Sequence, residues 1–156
     1  MVKALIVLIL SLMPAAQAAD GSSFVDGLAA YDAGRYEETV RIWQELAAQG
    51  DAMAQLGLAG LYRSGEGVRR DLAEAARLYR LAARQGNPDA QVNLARLLLE
   101  GGGIQPDPIE AHAWLSLAAA KGKRYAMERV EWLERTMSDD QLERAERRLA
   151  ELRERM

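Results

Sequence analysis

Apolar residues recur along most of the chain at steps of three and four, a spacing that places them on one face of an α-helix. The segment from Ala52 to Ser64 shows this pattern, because Ala54, Leu58 and Leu61 fall on a single helical face. Glycines and polar capping residues end such segments, so the pattern predicts several short helices joined by tight loops. Few β-branched residues follow the apolar N-terminus, which disfavours β-sheet. The chain is therefore predicted to be all-α.

The helical pattern repeats along the chain. Gly50, Gly86 and Gly122 are spaced by 36 residues, and each ends a segment that is rich in small residues. The same spacing relates further sets of residues: Ala54, Ala90 and Ala126; Leu58, Leu94 and Val130; Leu61, Leu97 and Leu133; and the bulky series Trp43, Tyr79 and Leu115. A fixed period of this length is typical of stacked helical repeats, so we expect each unit to contribute one pair of helices.

Capping signals divide each unit into two helices. In the second unit, Gly65 and Gly67 end the first helix, and Asp71 begins the next with Glu74 at the capping-box position. The third unit repeats this plan with Gly101, Gly102 and Gly103, followed by Asp107, Pro108 and Glu110. The first unit has a tighter turn at Gly34. The predicted units span residues 24–50, 51–86, 87–122 and 123–156, and together they form a single repeat domain.

The last unit departs from the repeat. Its first helix is predicted over Ala126 to Met137, and Ser138 with Gln141 predicts a capping box for a final helix. The final helix carries a narrow apolar stripe made of Leu142, Ala145, Leu149, Leu152 and Met156. Such a stripe suits a helix that caps a solenoid, and it also suits a two-stranded coiled coil. Both interpretations stay open, although a stripe this short favours the cap and a monomeric protein.

Two units of the chain resemble the Sel-one-like repeat, a relative of the tetratricopeptide repeat. The matching residues of the second unit are Leu58, Leu61, Tyr62, Gly65, Gly67, Val68, Asp71 and Ala75, then Tyr79, Ala82, Ala83, Gln85, Gly86, Asn87, Ala90 and Gln91. The third unit matches well, with Leu98 in place of the usual tyrosine and Leu115 in place of the usual aromatic residue. The first unit resembles a plain tetratricopeptide repeat through Gly34, Arg35 and Tyr36.

The resemblance implies a particular fold. Proteins of this family are right-handed α/α superhelices, in which pairs of helices stack into a solenoid. For this chain we expect about three and a half tetratricopeptide-like and Sel-one-like helix pairs, followed by a C-terminal capping helix.

The N-terminal residues have the pattern of a secretory signal peptide. Lys3 precedes an apolar run over residues 4–13, and Ala16 and Ala18 stand at the two positions that a signal peptidase reads. We predict a signal peptide over residues 1–18, cleaved after Ala18 or one residue later. The apolar run is shorter than the roughly 20 residues of a membrane span, so stable membrane insertion after cleavage is not expected. An uncleaved anchor and an ordinary first helix are the alternatives.

The location of the protein follows from this signal. Residues 19–23 are predicted to form a flexible N-terminus that precedes the repeat domain over residues 24–156. Arginine and alanine are abundant, as in proteins from bacterial genomes rich in G and C. We therefore expect an exported bacterial protein that is periplasmic or secreted.

Composition argues against several classes of function. The formal charge is −3 and the isoelectric point is about 5.3, which disfavours a nucleic-acid partner. The chain has no cysteine and a single histidine, so cysteine zinc sites, thiolate catalysis and multi-histidine metal sites are excluded, and no cofactor is expected. His112 with Ser116 is a weak match to a catalytic pair, and a packing or surface role is favoured. Asp71 and Asp107 are better explained as helix caps than as paired acids.

The resemblance also indicates where a partner would bind. In tetratricopeptide-like stacks, the first helix of each pair lines the concave face, and the period identifies the non-core positions of these helices. The candidate partner-binding residues are Tyr31, Met53, Arg63, Arg96, Leu99, Tyr125, Glu128, Trp132 and Arg135. Arginine and aromatic residues are enriched at interface hot spots. A simpler explanation for Tyr125 and Trp132 is that they cover the last layer of the core.

Two hypotheses about function follow from the family. Its members typically act as adaptors, which implies a non-catalytic protein–protein interaction adaptor that binds a peptide or helix of a partner in the bacterial envelope. The alternative is an enzyme or binder that acts on a cell-wall-type small ligand, and it rests on family analogy alone. A cysteine-rich branch of the family has been linked to such compounds, but this chain lacks the cysteines of that branch.

Overall fold

The computed structural model describes residues 23–101 and 104–156, and these residues form eight helices. The helices are α1 (Phe24–Asp32), α2 (Tyr36–Ala48), α3 (Ala52–Ser64), α4 (Leu72–Arg84), α5 (Pro88–Glu100), α6 (Pro108–Ala120), α7 (Arg124–Thr136) and α8 (Asp139–Glu154). From α1 to α7, each helix packs against the next one in the chain, as in a stacked α/α solenoid. Within the described ranges, no helix combines the length and the apolar composition needed to cross a membrane. The predicted signal peptide over residues 1–18, and residues 19–22 of the predicted flexible N-terminus, lie outside the described residues.

The helix boundaries follow local capping chemistry. The helix predicted over Ala52 to Ser64 is α3, and the side chain of Asp51 accepts a hydrogen bond from the backbone N of Ala54 at 2.7 Å. Gly65 ends α3 in a left-handed conformation with φ of 83°, which glycine adopts at little cost. The later helix α7 begins at Arg124, two residues before the predicted start, because Arg124 and Tyr125 are exposed and precede the first buried residue, Ala126.

The predicted capping box of α6 is only half formed. Asp107 accepts a hydrogen bond from the backbone N of Glu110 at 2.9 Å, as predicted. The carboxylate of Glu110 does not return to the cap, because it accepts a hydrogen bond from Trp114 Nε1 at 2.8 Å and pairs with Arg148 of α8. Glu74 of α4 is likewise engaged by an arginine one turn later. Asp71 and Asp107 are therefore helix caps, whereas Glu74 and Glu110 bind arginine side chains instead of the caps.

The core is a continuous layer of small and aliphatic side chains that recurs with the period of the sequence. Its buried members include the sets predicted from the spacing: Ala54, Ala90 and Ala126; Leu58 and Leu94; Leu61, Leu97 and Leu133; and Trp43, Tyr79 and Leu115. Alanine lets neighbouring helices approach closely, and the bulky series fills the space between successive units.

Side chains that donate hydrogen bonds to loop carbonyls tie successive units together. Gln85 donates to the carbonyl oxygen of Gly50 at 2.9 Å, and Lys121, 36 residues further on, donates to that of Gly86 at 2.6 Å. Gln85 also donates to Oε1 of Gln55 at 2.9 Å. Equivalent residues of the repeat therefore make equivalent contacts between units, although their side chains differ in chemistry.

The final helix caps the stack, as the sequence predicts. Ser138 and Gln141 form a complete capping box at its start. Ala145 and Leu152 are buried and Leu149 packs on the core, so the apolar stripe lies against α6 of the same chain. Met156, the last residue of the stripe, is exposed. The stripe is thus occupied along most of its length within the chain.

The helix α7 lacks the small residues that let a further helix approach. Ala59 of α3 and Ala95 of α5 are fully buried, whereas the equivalent residue of α7 is Glu131, which is exposed. Glu131 forms an exposed ion pair with Arg135, and burying its carboxylate against a following helix would carry a large desolvation cost. The regular stack therefore ends at α7, and α8 turns back onto α6.

Candidate functional site

A groove of about 490 Å³ crosses the face formed by α1, α3 and α5. We call it the first-helix groove, because these helices begin the first three helix pairs. Its lining residues are Tyr31, Trp43, Leu56, Gly57, Gly60, Leu61, Arg63, Ser64, Glu66, Tyr79, Asp89 and Asn93. The groove thus lies on the helices that the sequence predicts to line the partner-binding face.

The groove is open above Tyr79 because Gly60 of α3 has no side chain, and Gly57 lets the same helix approach Trp43. Gly57 is followed one unit later by Asn93, and Gly60 by Arg96. In α7 the equivalent residues are Arg129 and Trp132. The side chains at these two positions become larger from α3 to α7, so the groove lies at the N-terminal end of the stack.

The indole of Trp43 forms one part of the groove floor. Its Nε1 donates a hydrogen bond to the carbonyl oxygen of Phe24 at 3.2 Å, and its ring stacks on the ring of Phe24 with centroids 5.2 Å apart. The ring of Tyr31 lies on it as well, at a centroid distance of 6.2 Å. Since Trp43 is buried by these rings and by α3, the floor is rigid and largely apolar.

Tyr79 forms the other part of the floor. Its side chain is buried, and its hydroxyl oxygen lies 4.0 Å from the place that a Cβ atom on Gly60 would take. Burial raises the pKa of the Tyr79 hydroxyl, and the nearby guanidinium groups of Arg63 and Arg96 offset part of that rise. The hydroxyl therefore remains a neutral hydrogen-bonding group at the groove floor.

The two acidic residues of the groove already have partners. Glu66 accepts hydrogen bonds from the hydroxyls of Tyr31, at 3.3 Å, and Ser64, at 3.0 Å. The negative charge of Glu66 is the main reason why the pKa of Tyr31 is raised. Asp89 pairs with Lys123 of the next unit, with Nζ 2.6 Å from Oδ1. Asp89 is therefore neutralised by a lysine, whereas Glu66 keeps its negative charge and is held in place by two hydroxyl groups.

Two arginines on the first helices, Arg63 and Arg96, have no carboxylate partner in the described part of the chain. Among the residues that the structure describes, neither arginine forms a salt bridge with a carboxylate. Arg96 lies with its guanidinium carbon 5.2 Å from the ring centre of Tyr125, a cation–π arrangement. Arg63 is exposed and also lines an adjoining groove of about 400 Å³ with Arg70, Leu97 and others.

The repeated units correspond to a known family. The model of the Sel1 repeat family matches residues 50–87 and 88–123. The chain carries two Sel1 repeats. The first Sel1 repeat contributes Gly57, Gly60 and Arg63 to the groove, and the second contributes Asp89 and Asn93, whereas Arg96 does not line it. Sel1 repeat proteins are generally protein-interaction scaffolds.

Two solved structures share the fold of these Sel1 repeats and their neighbouring helices. The protective antigen c5321 of uropathogenic Escherichia coli, which displays an SLR fold, aligns with a TM-score of 0.79 and 27% identity over 85% of this chain. A Sel1 repeat protein from Oxalobacter formigenes aligns with a TM-score of 0.69 and 29% identity over 83% of this chain. This chain spans 29% of the first protein's chain and 56% of the second's. No curated protein matches it. The predicted α/α solenoid is confirmed.

The structure brings some of the predicted partner-binding residues together. Tyr31 and Arg63 line the first-helix groove. Met53 is exposed near the start of α3, where its sulfur accepts a hydrogen bond from Asn87 Nδ2 at 3.5 Å. Leu99, near the end of α5 in the next unit, is half-buried and packs against the core. The groove thus contains two of the candidates, and Met53 and Leu99 lie outside it.

The four candidates on α7 form a separate surface. Tyr125 and Trp132 are exposed, and the guanidinium carbon of Arg129 lies 4.4 Å from the ring centre of Trp132. Two further candidates make ion pairs along the helix, Glu128 with Arg124 and Arg135 with Glu131. These residues do not line the first-helix groove. Tyr125 is 39% and Trp132 47% exposed, values that suit side chains covering the last core layer as well as a binding surface.

Sequence reasoning missed several residues that line the groove. Trp43 and Tyr79 are buried as predicted, but parts of their rings are also the groove floor. Asp89 and Asn93 share a helical face with Arg96, at steps of four and three, so their spacing was a usable signal. Glu66 follows α3 in the loop, and helix periodicity carries no information about its position.

His112 lies away from the groove, in the packing between α6 and α7. Its side chain is buried, and its Nε2 has no hydrogen-bond partner within the described part of the chain. The nearest acid is Glu134, with Oε1 3.7 Å from that nitrogen. Ser116 donates its hydroxyl hydrogen to the carbonyl oxygen of His112 at 2.9 Å, so the hydroxyl is engaged by the helix backbone. The structure thus selects the packing role over the surface role.

Proposed function

We propose that this protein is a non-catalytic adaptor in the bacterial envelope, periplasmic or secreted, which binds a peptide or helix of a partner protein in the first-helix groove. The observation that carries this proposal is the groove itself. Its floor is made of two aromatic rings; Gly57 lets α3 approach Trp43 closely, and Gly60 leaves the space above Tyr79 open. The general role of Sel1 repeat proteins as interaction scaffolds supports the same conclusion.

The size of the groove limits the kind of partner. A volume of about 490 Å³ accommodates one or two large side chains and a short stretch of backbone. An extended segment or one face of a helix fits such a space better than a broad flat surface does. Because a small interface must offset the loss of rotational and translational freedom, we expect dissociation constants in the micromolar range.

A groove-filling variant tests the proposal. At Gly60 a Cβ atom would meet the Tyr79 hydroxyl at 4.0 Å, an ordinary contact, and the next unit carries an arginine there. Gly60→Met should therefore fill the groove without disturbing the fold. The matched control is Ala120→Met, which adds the same side chain at an exposed position of α6.

The measurement is selection of binders from a displayed library of random peptides. The full chain, as the producing cell processes it, and the Ala120→Met variant should enrich related peptides, whereas Gly60→Met should not. Equal enrichment by all three proteins would contradict a site in the groove. Circular dichroism of each variant checks that the helices are intact.

The envelope location has its own test. The pattern of residues 1–18 supports export, and export predicts that mass spectrometry of the protein from the periplasm or medium finds Ala19 or Asp20 as the first residue. An intact N-terminus on protein confined to the cytoplasm would contradict this part of the proposal. The structural relative c5321 is a protective antigen, a property that is compatible with exposure outside the cytoplasm.

A further inference from the structure

Two exposed aromatic rings of α7 rest on arginine side chains. The guanidinium carbon of Arg96 lies 5.2 Å from the ring centre of Tyr125, and that of Arg129 lies 4.4 Å from the ring centre of Trp132. Both arginines are half-buried, whereas both rings are exposed. Each guanidinium therefore lies on the protein side of its ring and leaves the outer face of the ring open to a ligand. We call these two rings with their arginines the α7 aromatic face.

The spacing of the two rings indicates the shape of a ligand that covers both. Tyr125 and Trp132 are seven residues apart, close to two helical turns, so they point the same way and are separated by about 10.5 Å along the helix axis. A polyproline II helix repeats every three residues, which is about 9 Å along its axis. A segment in this conformation that runs along α7 therefore presents one side chain to each aromatic ring.

The exposed charges of α7 beside the rings cancel one another. Glu128 pairs with Arg124, with Oε1 3.5 Å from Nε, and Glu131 pairs with Arg135. Both pairs join residues four positions apart, a spacing that favours such contacts on a helix. The surface around the rings thus carries little net charge, and a strongly charged partner gains little there.

The arginines beneath the rings add hydrogen-bond donors to this surface. Arg96 and Arg129 form no salt bridge with a described carboxylate, and Nε of Arg129 has no hydrogen-bond partner within residues 23–101 and 104–156. Glu100, about one turn beyond Arg96 on α5, offsets part of their positive charge. The α7 aromatic face is therefore complementary to an uncharged segment that accepts hydrogen bonds.

A proline-rich segment has this chemistry. Proline lacks a backbone N–H, and a polyproline II helix makes no internal hydrogen bonds, so its carbonyl groups are free acceptors with few donors beside them. Its apolar rings pack on exposed aromatic rings, and because the conformation is already formed, little entropy is lost on binding. An acidic segment would instead meet the carboxylates of Glu100, Glu128 and Glu131.

We propose that the α7 aromatic face binds a proline-rich segment of a partner protein in the polyproline II conformation. One proline ring lies on Tyr125, and a second, three residues away, lies on Trp132. The carbonyl oxygens of the segment accept hydrogen bonds from the flanking guanidinium groups. This surface is separate from the first-helix groove, so its failure would leave the function proposed for that groove standing.

Tryptophan fluorescence of the full chain tests the proposal without any variant. Trp43 and Trp114 are buried and Trp132 is exposed, so a ligand on the α7 aromatic face changes chiefly the emission of Trp132. Oligoproline should shift the emission to shorter wavelength in a saturable manner, because it removes this indole from water. A peptide of the same length made of alternating alanine and glutamine should not. An emission spectrum that oligoproline leaves unchanged would overturn the proposal.

Variants assign the binding site. Tyr125→Ala combined with Trp132→Ala should weaken the binding of fluorescently labelled oligoproline, measured by fluorescence polarisation, about tenfold or more. The matched control is Met127→Ala, which removes an exposed apolar side chain from the opposite side of α7 and should leave the affinity unchanged. Gly60→Met, which fills the first-helix groove, should leave it unchanged as well. Circular dichroism checks that each variant is folded.

Three further results would reject the proposal, and they differ in what they imply. Binding of oligoproline that is lost in Gly60→Met but kept in the double alanine variant would place the segment in the first-helix groove. A labelled glutamate-rich peptide that binds tighter than oligoproline would show that the face prefers an acidic segment. Tighter binding of a labelled chitooligosaccharide would show that the rings stack on a glycan.

Discussion

Gly57 lies so close to Trp43 that a Cβ atom on this glycine would be 2.7 Å from Cζ3 of the indole. Gly27 of α1 approaches the opposite, five-membered ring of the same indole. The two glycines thus let α1 and α3 close on a single tryptophan. This packing supports the floor of the groove from two helices.

The two glycines of α3 should respond to alanine in opposite ways. In Gly57→Ala the added methyl overlaps Trp43, and overpacking of this kind costs about 1–3 kcal/mol of unfolding free energy. In Gly60→Ala the methyl meets open space, and the better helix propensity of alanine should add up to about 1 kcal/mol. Urea denaturation followed by circular dichroism measures both values. Destabilisation by Gly60→Ala would contradict the open groove.

Among the described residues, Oε1 of Gln91 lacks a hydrogen bond that its equivalent in the preceding unit has, and the substitution Lys121→Gln should supply it. Gln85 donates hydrogen bonds to the Gly50 carbonyl and to Oε1 of Gln55. One unit later, the equivalent Lys121 donates only to the Gly86 carbonyl. Oε1 of Gln91, the equivalent of Gln55, therefore has no partner among the described residues. Lys121→Gln should satisfy Gln91 and raise the unfolding free energy by about 1 kcal/mol.

Thermal and urea denaturation measure this gain from Lys121→Gln. The reciprocal change, Gln85→Lys, should remove the donor to Gln55 and lower the unfolding free energy by a similar amount, about 1 kcal/mol. If both variants had the stability of the parent chain, the contacts of Gln85 would have no energetic weight.

The ion pair between Glu110 and Arg148 should make the attachment of α8 depend on pH. Burial on its own would raise the pKa of Glu110, but hydrogen bonds from Arg148 and Trp114 hold it below the ordinary value of 4.5. A carboxyl whose pKa is lower in the folded state stabilises the fold above its unfolded pKa. That contribution should be lost as the pH falls below 4.5 through the folded pKa.

Removal of Arg148 tests this prediction. In Arg148→Met, Glu110 loses its charged partner, so its pKa should rise and the unfolding free energy at pH 7 should fall by about 1.5–3 kcal/mol. The acid-dependent loss of stability should flatten, and Glu110→Gln in the same background should recover part of the loss. An unchanged pH profile of the melting temperature in Arg148→Met would count against the pair.

Replacement of His112 distinguishes a packing role of this residue from a chemical role. His112→Leu replaces a buried ring whose Nε2 has no hydrogen-bond partner among the described residues. Without an unsatisfied polar atom to bury, the unfolding free energy at pH 7 should rise by about 1 kcal/mol. Peptide binding by the groove should be unchanged. A loss of function in a variant that is fully folded would favour a chemical role for this residue.

Much of the architecture could be predicted because its signals are local. Asp51, Asp107 and Ser138 cap their helices through side chains that reach backbone groups three residues away. Leu58 and Leu94 are buried because helical spacing already places them on one face. The groove was harder to predict, since Trp43 and Glu66 lie on different elements and meet around Tyr31 through packing.

The sequence by itself determined the helices, their caps, the 36-residue period and the all-α stack, because each depends on contacts within a turn or within one repeat. The tertiary structure decided that Glu110 leaves its capping position for Arg148, 38 residues away, and that α8 packs on α6. Packing between helices also brings Gly57 against Trp43 and leaves the space at Gly60 above Tyr79 open. These features depend on which side chains meet between helices, and spacing along the chain does not specify that.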